Sequence, residues 1–214
     1  MNIKKIEKIL TPFGMIGVLI YLAHTMLGSY LWNEYDPITM DISSLTADSA
    51  PNSSLLRVFT LVYGICMIVF AAGMLFRSYR AYNEKLKAGY FVFLGMQVVS
   101  LVGYAFFPLS SDISIPSFQN TMHFVITGIV VLSTIAFAFI TAFGYLNQEK
   151  LKGLGKFVFT IAILITLFGV FNPISMVLDL NILGISERLV IFSLMTLIFG
   201  ISNYESFTIT PYNT

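Results

Sequence analysis

The segment WNEYDPITMDISSLTADSAPNSSL, from Trp32 to Leu55, is the longest polar stretch in the chain and stands between two long apolar runs. Its charged side chains are all acidic: Glu34, Asp36, Asp41 and Asp48. An apolar run of about 20 residues is long enough to cross the hydrocarbon core of a bilayer. The segment is therefore predicted to be a loop at a membrane surface that joins two spanning helices.

The composition excludes an ordinary soluble domain. Hydrophobic residues make up 57% of the 214 residues and charged residues only 11%, whereas soluble proteins carry about 25% charged residues. A bilayer solves the problem of covering so much apolar area, because it solvates the outer surface of the protein. The formal net charge of +1 gives no bulk attraction for nucleic acid, so the expected partners are membrane lipids. The single cysteine, Cys66, excludes an intrachain disulfide framework.

Six apolar runs predict an all-α, polytopic membrane protein with one six-helix domain over residues 1–214. The predicted helices are at about 10–32, 55–76, 88–107, 121–145, 157–178 and 188–204, each near the length needed to span. The first run follows three lysines and imitates a signal peptide. It is long enough to span and no cleavage site follows it, so it is predicted to remain as the first helix.

The distribution of charge predicts the orientation. Ten of the 12 Lys and Arg residues would share one side of the membrane, namely Lys4, Lys5, Lys8, Arg77, Arg80, Lys85, Lys87, Lys150, Lys152 and Lys156. The opposite side would carry Glu34, Asp36, Asp41, Asp48, Asp112, Asp179 and Glu187. Basic loops remain in the cytoplasm. We therefore expect a multi-pass protein of the cytoplasmic membrane with both termini in the cytoplasm.

Polar side chains within the predicted helices gather in the outer half of the membrane, as judged from a helical rise of about 1.5 Å per residue. They are His24, Arg57, His123, Asn172, Glu187 and Arg188. Ionisable groups at membrane depth usually face the bundle interior or a water-filled cavity. A polar pocket that opens outward is therefore predicted, above an inner half that is nearly devoid of ionisable groups and forms a packed plug. Residues 130–143 and 189–199 in that half carry only Ser and Thr as polar residues. The alternatives are that Arg57 and the Glu187–Arg188 pair are interface anchors and that the histidines join helices by hydrogen bonds.

The first loop is predicted to contain a short interfacial helix. Ile38, Ile42 and Leu45 recur at i, i+4 and i+7 and would form one apolar face. Asp41 and Ser44 are neighbours on such a helix because they are three residues apart. With the apolar face on the bundle, these two polar side chains would point to the pocket.

Four motifs in this order resemble a bacterial membrane family catalogued as domain of unknown function 998. They are Asp41-Ile42-Ser43-Ser44-Leu45 after the first helix, Phe107-Pro108 ending the third, His123 opening the fourth, and Glu187-Arg188 opening the sixth. The likeness extends from about Pro12 to Tyr204. The resemblance implies a six-helix fold and a membrane location, and it implies little about function.

The first functional hypothesis is a pocket that binds a lipid or other small amphiphile. Its predicted ligand-binding residues are His24, Asp41, Ser44, Arg57, His123, Asn172, Glu187 and Arg188. Arg57 and Arg188 would hold a phosphate or carboxylate head group, as basic pockets between membrane helices do.

The alternative is an intramembrane hydrolase or transferase, and two designs fit the residue types. His24, His123 and either Asp41 or Glu187 have the donors that zinc requires. In the other design, His123 acts as general base for Ser44, oriented by an acid. The chain has neither an H-E-x-x-H nor a G-x-S-x-G motif and no evident cofactor motif.

The third hypothesis is a small transporter or a regulatory membrane subunit. Asn172-Pro173 could break the fifth helix, and Gln97 falls near the midplane, as alternating-access folds require. Oligomeric state and protein partners stay open at the level of sequence.

Overall fold

The computed structural model describes residues 3–110 and 117–208, so Asp112 lies outside the described residues. The described chain is helical and contains no strand. Its seven α-helices are α1 (Ile3–Leu10), α2 (Phe13–Leu31), α3 (Ser53–Ala81), α4 (Glu84–Phe106), α5 (Phe118–Leu146), α6 (Lys152–Val177) and α7 (Leu183–Phe207). Two short 3-10 helices cover Ser43–Thr46 and Glu149–Leu151.

Six helical spans are long and apolar enough to cross a membrane, the first of which runs from Ile6 in α1 to the end of α2. Each of the helices α2 to α7 packs on the next, and α7 packs back on α2, so the six helices form a closed ring. We call the end that carries residues 32–52 the loop end, and the end that carries α1 and the last turn of α7 the terminal end. The predicted six-helix, all-α fold is confirmed.

Three helices extend about five residues beyond a predicted bound. One is α6, which begins at Lys152 rather than at about 157, and the other two are α3 and α7. The second spanning helix was predicted at about 55–76 but is α3, which continues to Ala81. The sixth was predicted at about 188–204 but is α7, from Leu183 to Phe207. Both predictions stopped at the charged residues that border an apolar run. A helix continues through such residues when their charges are paired or reach the interface.

The extra turns bring a buried ion pair into the terminal half. Arg77 of α3 and Glu205 of α7 are 3% and 2% exposed, and Arg77 Nη2 lies 3.0 Å from Glu205 Oε2. Tyr82 donates to Glu205 at 2.6 Å, and Tyr145 donates to the same carboxylate at 3.0 Å. The terminal half was predicted to be nearly devoid of ionisable groups, and the buried Arg77–Glu205 pair corrects that prediction.

Ser202 of α7 stabilises the joint between α1 and α2. Pro12 cannot donate a backbone hydrogen bond, so the helix is interrupted there. The Ser202 hydroxyl donates to the Thr11 carbonyl at 2.6 Å and accepts from the Met15 amide at 3.0 Å. Beyond this joint, Glu7 of α1 pairs with Arg80 of α3, which fixes the short first helix against the bundle.

Pro173 does not break α6, which continues through it to Val177. The chain then turns into α7 within residues 178–182, where Asp179 and Asn181 have φ angles of 50° and 52°. Asp and Asn adopt this left-handed conformation more readily than most residues. The broken helix considered for a transporter is therefore absent from this part of the chain.

Candidate functional site

The first loop folds back onto the loop end of the bundle and has a small core of its own. Ile42, Leu45 and Leu56 of α3 are 3%, 0% and 2% exposed and pack together with Tyr35. Burial of such side chains contributes about 1.5–3 kcal/mol each. The predicted interfacial helix is present only as the 3-10 helix Ser43–Thr46. Ile38, predicted on its apolar face, is 50% exposed.

Arg188 of α7 holds the first half of this loop. Its Nη1 donates to the carbonyls of Pro37 at 2.8 Å and Met40 at 3.1 Å. Its Nη2 donates to the Tyr35 hydroxyl at 2.6 Å, and that hydroxyl donates to the Asp41 carbonyl at 2.8 Å. Burial raises the pKa of Tyr35 to about 12, although the hydrogen bond and charge of Arg188 act in the opposite direction. Tyr35 therefore remains a neutral donor at physiological pH.

Three residues that shortly precede Arg188 complete the contact between α7 and the loop. Glu187 accepts a hydrogen bond from the Ile42 amide through Oε2, and the Ile185 amide donates to the Ile38 carbonyl at 3.1 Å. Gly184 lies directly beneath the loop: a Cβ there would come within 2.4 Å of the Met40 carbonyl oxygen. The close approach therefore requires glycine at this position.

Asp41 and Ser44 form a local cap rather than neighbours on a longer helix. Asp41 Oδ1 accepts from the Ser44 amide at 2.9 Å and also from the Ser44 hydroxyl. An acidic side chain that bonds a backbone amide a few residues on is typical of a turn. Neither of these two hydrogen bonds involves the other carboxylate oxygen of Asp41, Oδ2.

Arg57 of α3 fixes the second half of the loop. Nε and Nη2 of Arg57 donate to the Thr46 carbonyl at 2.9 and 2.8 Å, and Nη2 lies 2.6 Å from Asp48 Oδ1. The hydrogen bond from Arg57 holds the pKa of Asp48 below its usual value. Arg57 and Arg188 were predicted to bind an anionic head group. Their guanidinium groups donate these hydrogen bonds to the first loop.

His123 of α5 closes the end of α4. The last carbonyl groups of a helix have no partner within it, and the Phe107 carbonyl lies 2.9 Å from His123 Nδ1. The same connection is held by Gln119, whose amide donates to the Pro108 carbonyl at 2.7 Å. The Asp48 amide donates to the Leu109 carbonyl at 3.4 Å, which ties this connection to the first loop.

The two remaining predicted residues lie elsewhere. His24 of α2 is 1% exposed, its ring centroid lies 5.5 Å from that of Tyr21, and neither ring nitrogen has a hydrogen-bond partner among the described residues. The interhelical hydrogen bond considered for His24 is thus absent there. Asn172 of α6 donates to Ser186 of α7 at 3.0 Å, so it joins two helices.

A cavity of about 250 Å³ lies between the first loop, the segment after α4 and the start of α7. Asp41 and Ser44 line it, and they are the two predicted ligand-binding residues that do so. Its apolar walls are Trp32, Met40, Ala47, Leu109 and Leu183, and its other polar residues are Thr39, Ser49 and Ser110. The site is therefore amphipathic, with one carboxylate and several hydroxyl groups.

The described residues do not form the proposed zinc group, and the recorded bonds of Ser44 and His123 are to other partners. In residues 3–110 and 117–208, no three His, Cys, Asp or Glu side chains lie close enough together to hold a metal ion. Ser44 donates to Asp41, whereas Nδ1 of His123 faces the Phe107 carbonyl. The four residues considered for zinc thus do not form a group in this part of the chain.

Sequence reasoning missed residues that shape the cavity through the backbone. Gly184 is one, because a single glycine in an apolar run carries no sign of a close contact. Tyr35 is another, because it is 6% exposed and lies within the loop core. The acidic and proline residues beside Tyr35 indicated a loop but not one folded back on α7.

Comparison with known proteins identifies the family. A family model described as "Protein of unknown function (DUF998)" matches residues 15–202. No curated protein and no solved structure matches the chain. The match extends from α2 to the last turns of α7 and agrees with the six spans of the structure. The chain is thus a multi-pass membrane protein that belongs to the DUF998 family.

Proposed function

We propose that the protein binds the head group of a lipid or other small amphiphile in the loop-end cavity. The observation that carries the proposal is the lining of that cavity, where Asp41 and Ser44 face apolar walls that include Trp32 and Leu183. Ligand sites are mostly apolar with a few polar groups that orient the ligand. The volume of about 250 Å³ is slightly below the roughly 300 Å³ lower bound of such sites. It therefore suits a head group better than a whole lipid.

The chemistry of the lining favours a head group that donates hydrogen bonds. No Lys or Arg is among the described residues that line the cavity, so a phosphate or carboxylate would meet the Asp41 charge without a compensating cation. An amine or a set of hydroxyl groups would instead donate to the free Oδ2 of Asp41. Hydrogen bonds to a charged group contribute about 1.5–3 kcal/mol. Arg57 and Arg188 act indirectly in this proposal, because they hold the loop that carries Asp41.

The proposal includes an orientation. Lys4, Lys5 and Lys8 lie in α1, and two other groups of basic residues lie at or beside the connections from α3 to α4 and from α5 to α6, all at the terminal end. Positive residues favour the cytoplasmic side, so we place both termini in the cytoplasm and the cavity at the outer face of the cytoplasmic membrane. Labelling of cysteines introduced singly at positions 34 and 149 in intact cells tests this. Labelling of position 149 but not position 34 by an impermeant reagent would contradict it.

The binding proposal is tested by native mass spectrometry of the detergent-purified protein. Asp41→Asn keeps an acceptor for Ser44 but removes the charge. Asp36→Asn is the matched control, because Asp36 is an exposed acid of the same loop that caps Ile38 and Thr39 and does not line the cavity. We expect a retained amine- or hydroxyl-bearing amphiphile in the wild type and in Asp36→Asn, and its loss in Asp41→Asn. The same retained species in all three proteins would contradict the proposal.

A further inference from the structure

A second cavity lies at the opposite end of the bundle, as a groove between the start of α6 and the end of α7. Its volume is about 550 Å³, within the roughly 300–1,000 Å³ typical of small-molecule sites. Lys150, Asn203 and Tyr204 supply its polar groups, and Leu154, Phe157 and Phe207 its apolar wall. From this arrangement we infer that the groove binds an anionic phospholipid, with the phosphate at Lys150 and an acyl chain along Phe157.

The groove has the polarity gradient of a phospholipid. Lys150 lies in the connection before α6, whereas Phe157 is seven residues further on, or roughly 10 Å deeper at the usual rise of a helix. At that depth the Phe157 ring lies against α7, where a Cβ at Gly200 would come within 2.4 Å of it. A soluble anion would use the polar mouth of the groove and leave this apolar wall empty. A phospholipid uses both.

The charge of the groove favours an anionic head group. No Asp or Glu is among the described residues that line it, so no acid of the groove neutralises Lys150. The neighbouring Lys152 differs, because its amine lies 2.6 Å from Glu149. The Asn203 amide and the Tyr204 hydroxyl can donate further hydrogen bonds to phosphate oxygens. Basic pockets between membrane helices bind lipid head groups by such contacts.

Gly153 keeps the groove open. It lines the groove and a Cβ at this position would meet no atom within 4 Å. The Cβ of a larger side chain there would meet no protein atom, and the side chain would extend into the groove. Gly169, on the same helix, also has no neighbour within 4 Å of its Cβ position and lies outside the groove. The pair therefore provides a matched test of the groove as opposed to the helix.

The experiment is native mass spectrometry of the full chain from nanodiscs that contain equal amounts of phosphatidylglycerol and phosphatidylcholine with identical acyl chains. We expect the wild type to retain phosphatidylglycerol in preference. Lys150→Gln should lower that preference about fivefold, the effect of one lysine near an anionic lipid surface, whereas Lys152→Gln should leave it unchanged. Gly153→Phe should abolish the preference for phosphatidylglycerol, and Gly169→Phe should not.

Three outcomes would overturn the inference. Equal retention of the two lipids by the wild type would show that Lys150 does not make the groove prefer an anionic head group. Equal effects of Lys150→Gln and Lys152→Gln would point to general surface charge. Stabilisation by inorganic phosphate as large as that by phosphatidylglycerol, measured as the melting temperature, would indicate a site for a free anion. Asp41→Asn should leave phosphatidylglycerol retention unchanged. The proposal for this groove and the proposal for the loop-end cavity are therefore tested independently.

Discussion

Arg188 of α7 donates from Nη2 to the hydroxyl oxygen of Tyr35 at 2.6 Å, and its guanidinium carbon lies 5.5 Å from the centre of the Tyr35 ring. The same side chain bonds the carbonyls of Pro37 and Met40. Asp41 follows Met40 directly, so Arg188 sets the position of the acid that lines the loop-end cavity. The shape of the candidate site thus depends on a residue outside its lining.

Arg188→Ala is expected to detach the first half of the loop. It removes hydrogen bonds that a charged guanidinium donates to loop oxygens, each worth about 1.5–3 kcal/mol. We therefore expect a loss of about 3 kcal/mol in the free energy of unfolding. Trp32, the single tryptophan, lies 5.6 Å from the Tyr35 ring, so its emission reports the detachment as a red shift.

The control for this prediction is Arg57→Ala. The Arg57–Asp48 pair is 40% and 49% exposed, and exposed pairs contribute about 1 kcal/mol or less. The other bonds of Arg57 reach one loop carbonyl, that of Thr46, whereas those of Arg188 reach two loop carbonyls and the Tyr35 hydroxyl beside Trp32. Arg57→Ala should therefore have the smaller effect on stability and on Trp32 emission. Equal effects of the two substitutions would show that Arg188 has no special role in docking the loop.

Gly184→Ala is expected to destabilise the protein, although alanine normally favours a helix over glycine by about 1 kcal/mol. The added Cβ would lie 2.4 Å from the Met40 carbonyl oxygen and 2.5 Å from that of Pro37, so the loop backbone must move. Gly128→Ala is the matched change, since a Cβ there meets nothing within 4 Å. Thermal melting should fall for Gly184→Ala and stay level or rise for Gly128→Ala. Stabilisation of the protein by both Gly184→Ala and Gly128→Ala would show that the first loop does not pack against α7 at Gly184.

The raised pKa of Tyr35 predicts that the first loop loosens at alkaline pH. Burial raises its pKa from 10.0 to about 12, so the folded state favours the protonated phenol. The stabilising contribution is complete below about pH 10 and is lost as pH rises towards 12. Trp32 emission should therefore change between pH 10 and 12 in the wild type. A wild-type profile identical to that of Tyr35→Phe over this range would exclude Tyr35 as the cause.

The buried Arg77–Glu205 pair at the terminal end predicts that substitutions of these two residues have non-additive effects on stability. Arg77→Met would leave Glu205 buried without its cation, which costs about 3–5 kcal/mol in known cases. Adding Glu205→Gln removes the uncompensated charge and keeps an acceptor for Tyr82, so the double variant should be more stable than Arg77→Met alone. Chemical denaturation measures both. The Lys87–Glu84 pair, in which Glu84 is 87% exposed, supplies a control, and Glu84→Gln should cost less than 1 kcal/mol. A double variant no more stable than Arg77→Met would contradict the coupling.

The number of membrane-spanning helices could be predicted from the sequence because each apolar run is about as long as the bilayer is thick. The ends of the helices could not. Arg77 and Glu205 border their apolar runs, and single-sequence hydropathy treats a charge as the end of a span. Their pairing across α3 and α7 depends on which helices are neighbours, and the order of apolar runs does not contain that information.

The candidate site was predictable only in part. The polarity of residues 32–55 indicated a loop, and the three-residue spacing of Asp41 and Ser44 predicted their proximity. The roles of Arg57, Arg188 and His123 could not be predicted, because a charged side chain near a helix end can bind a ligand or a backbone carbonyl equally well. The structure distinguishes the two roles by distance. Arg188 Nη1 lies 2.8 Å from the Pro37 carbonyl oxygen, so it binds the backbone of the loop.

The central claim is that the loop-end cavity binds a head group that donates hydrogen bonds to Asp41. The most direct measurement is a titration of Trp32 emission in nanodiscs with dodecylamine, dodecyl glucoside and dodecanoate, because Trp32 lines the cavity. We predict a saturable change with the amine or the glucoside and none with dodecanoate. Binding should weaken at least about tenfold in Asp41→Asn, as expected for loss of a charged hydrogen bond, and be unchanged in Asp36→Asn. Tightest binding of dodecanoate, or equal binding by wild type and Asp41→Asn, would contradict the claim.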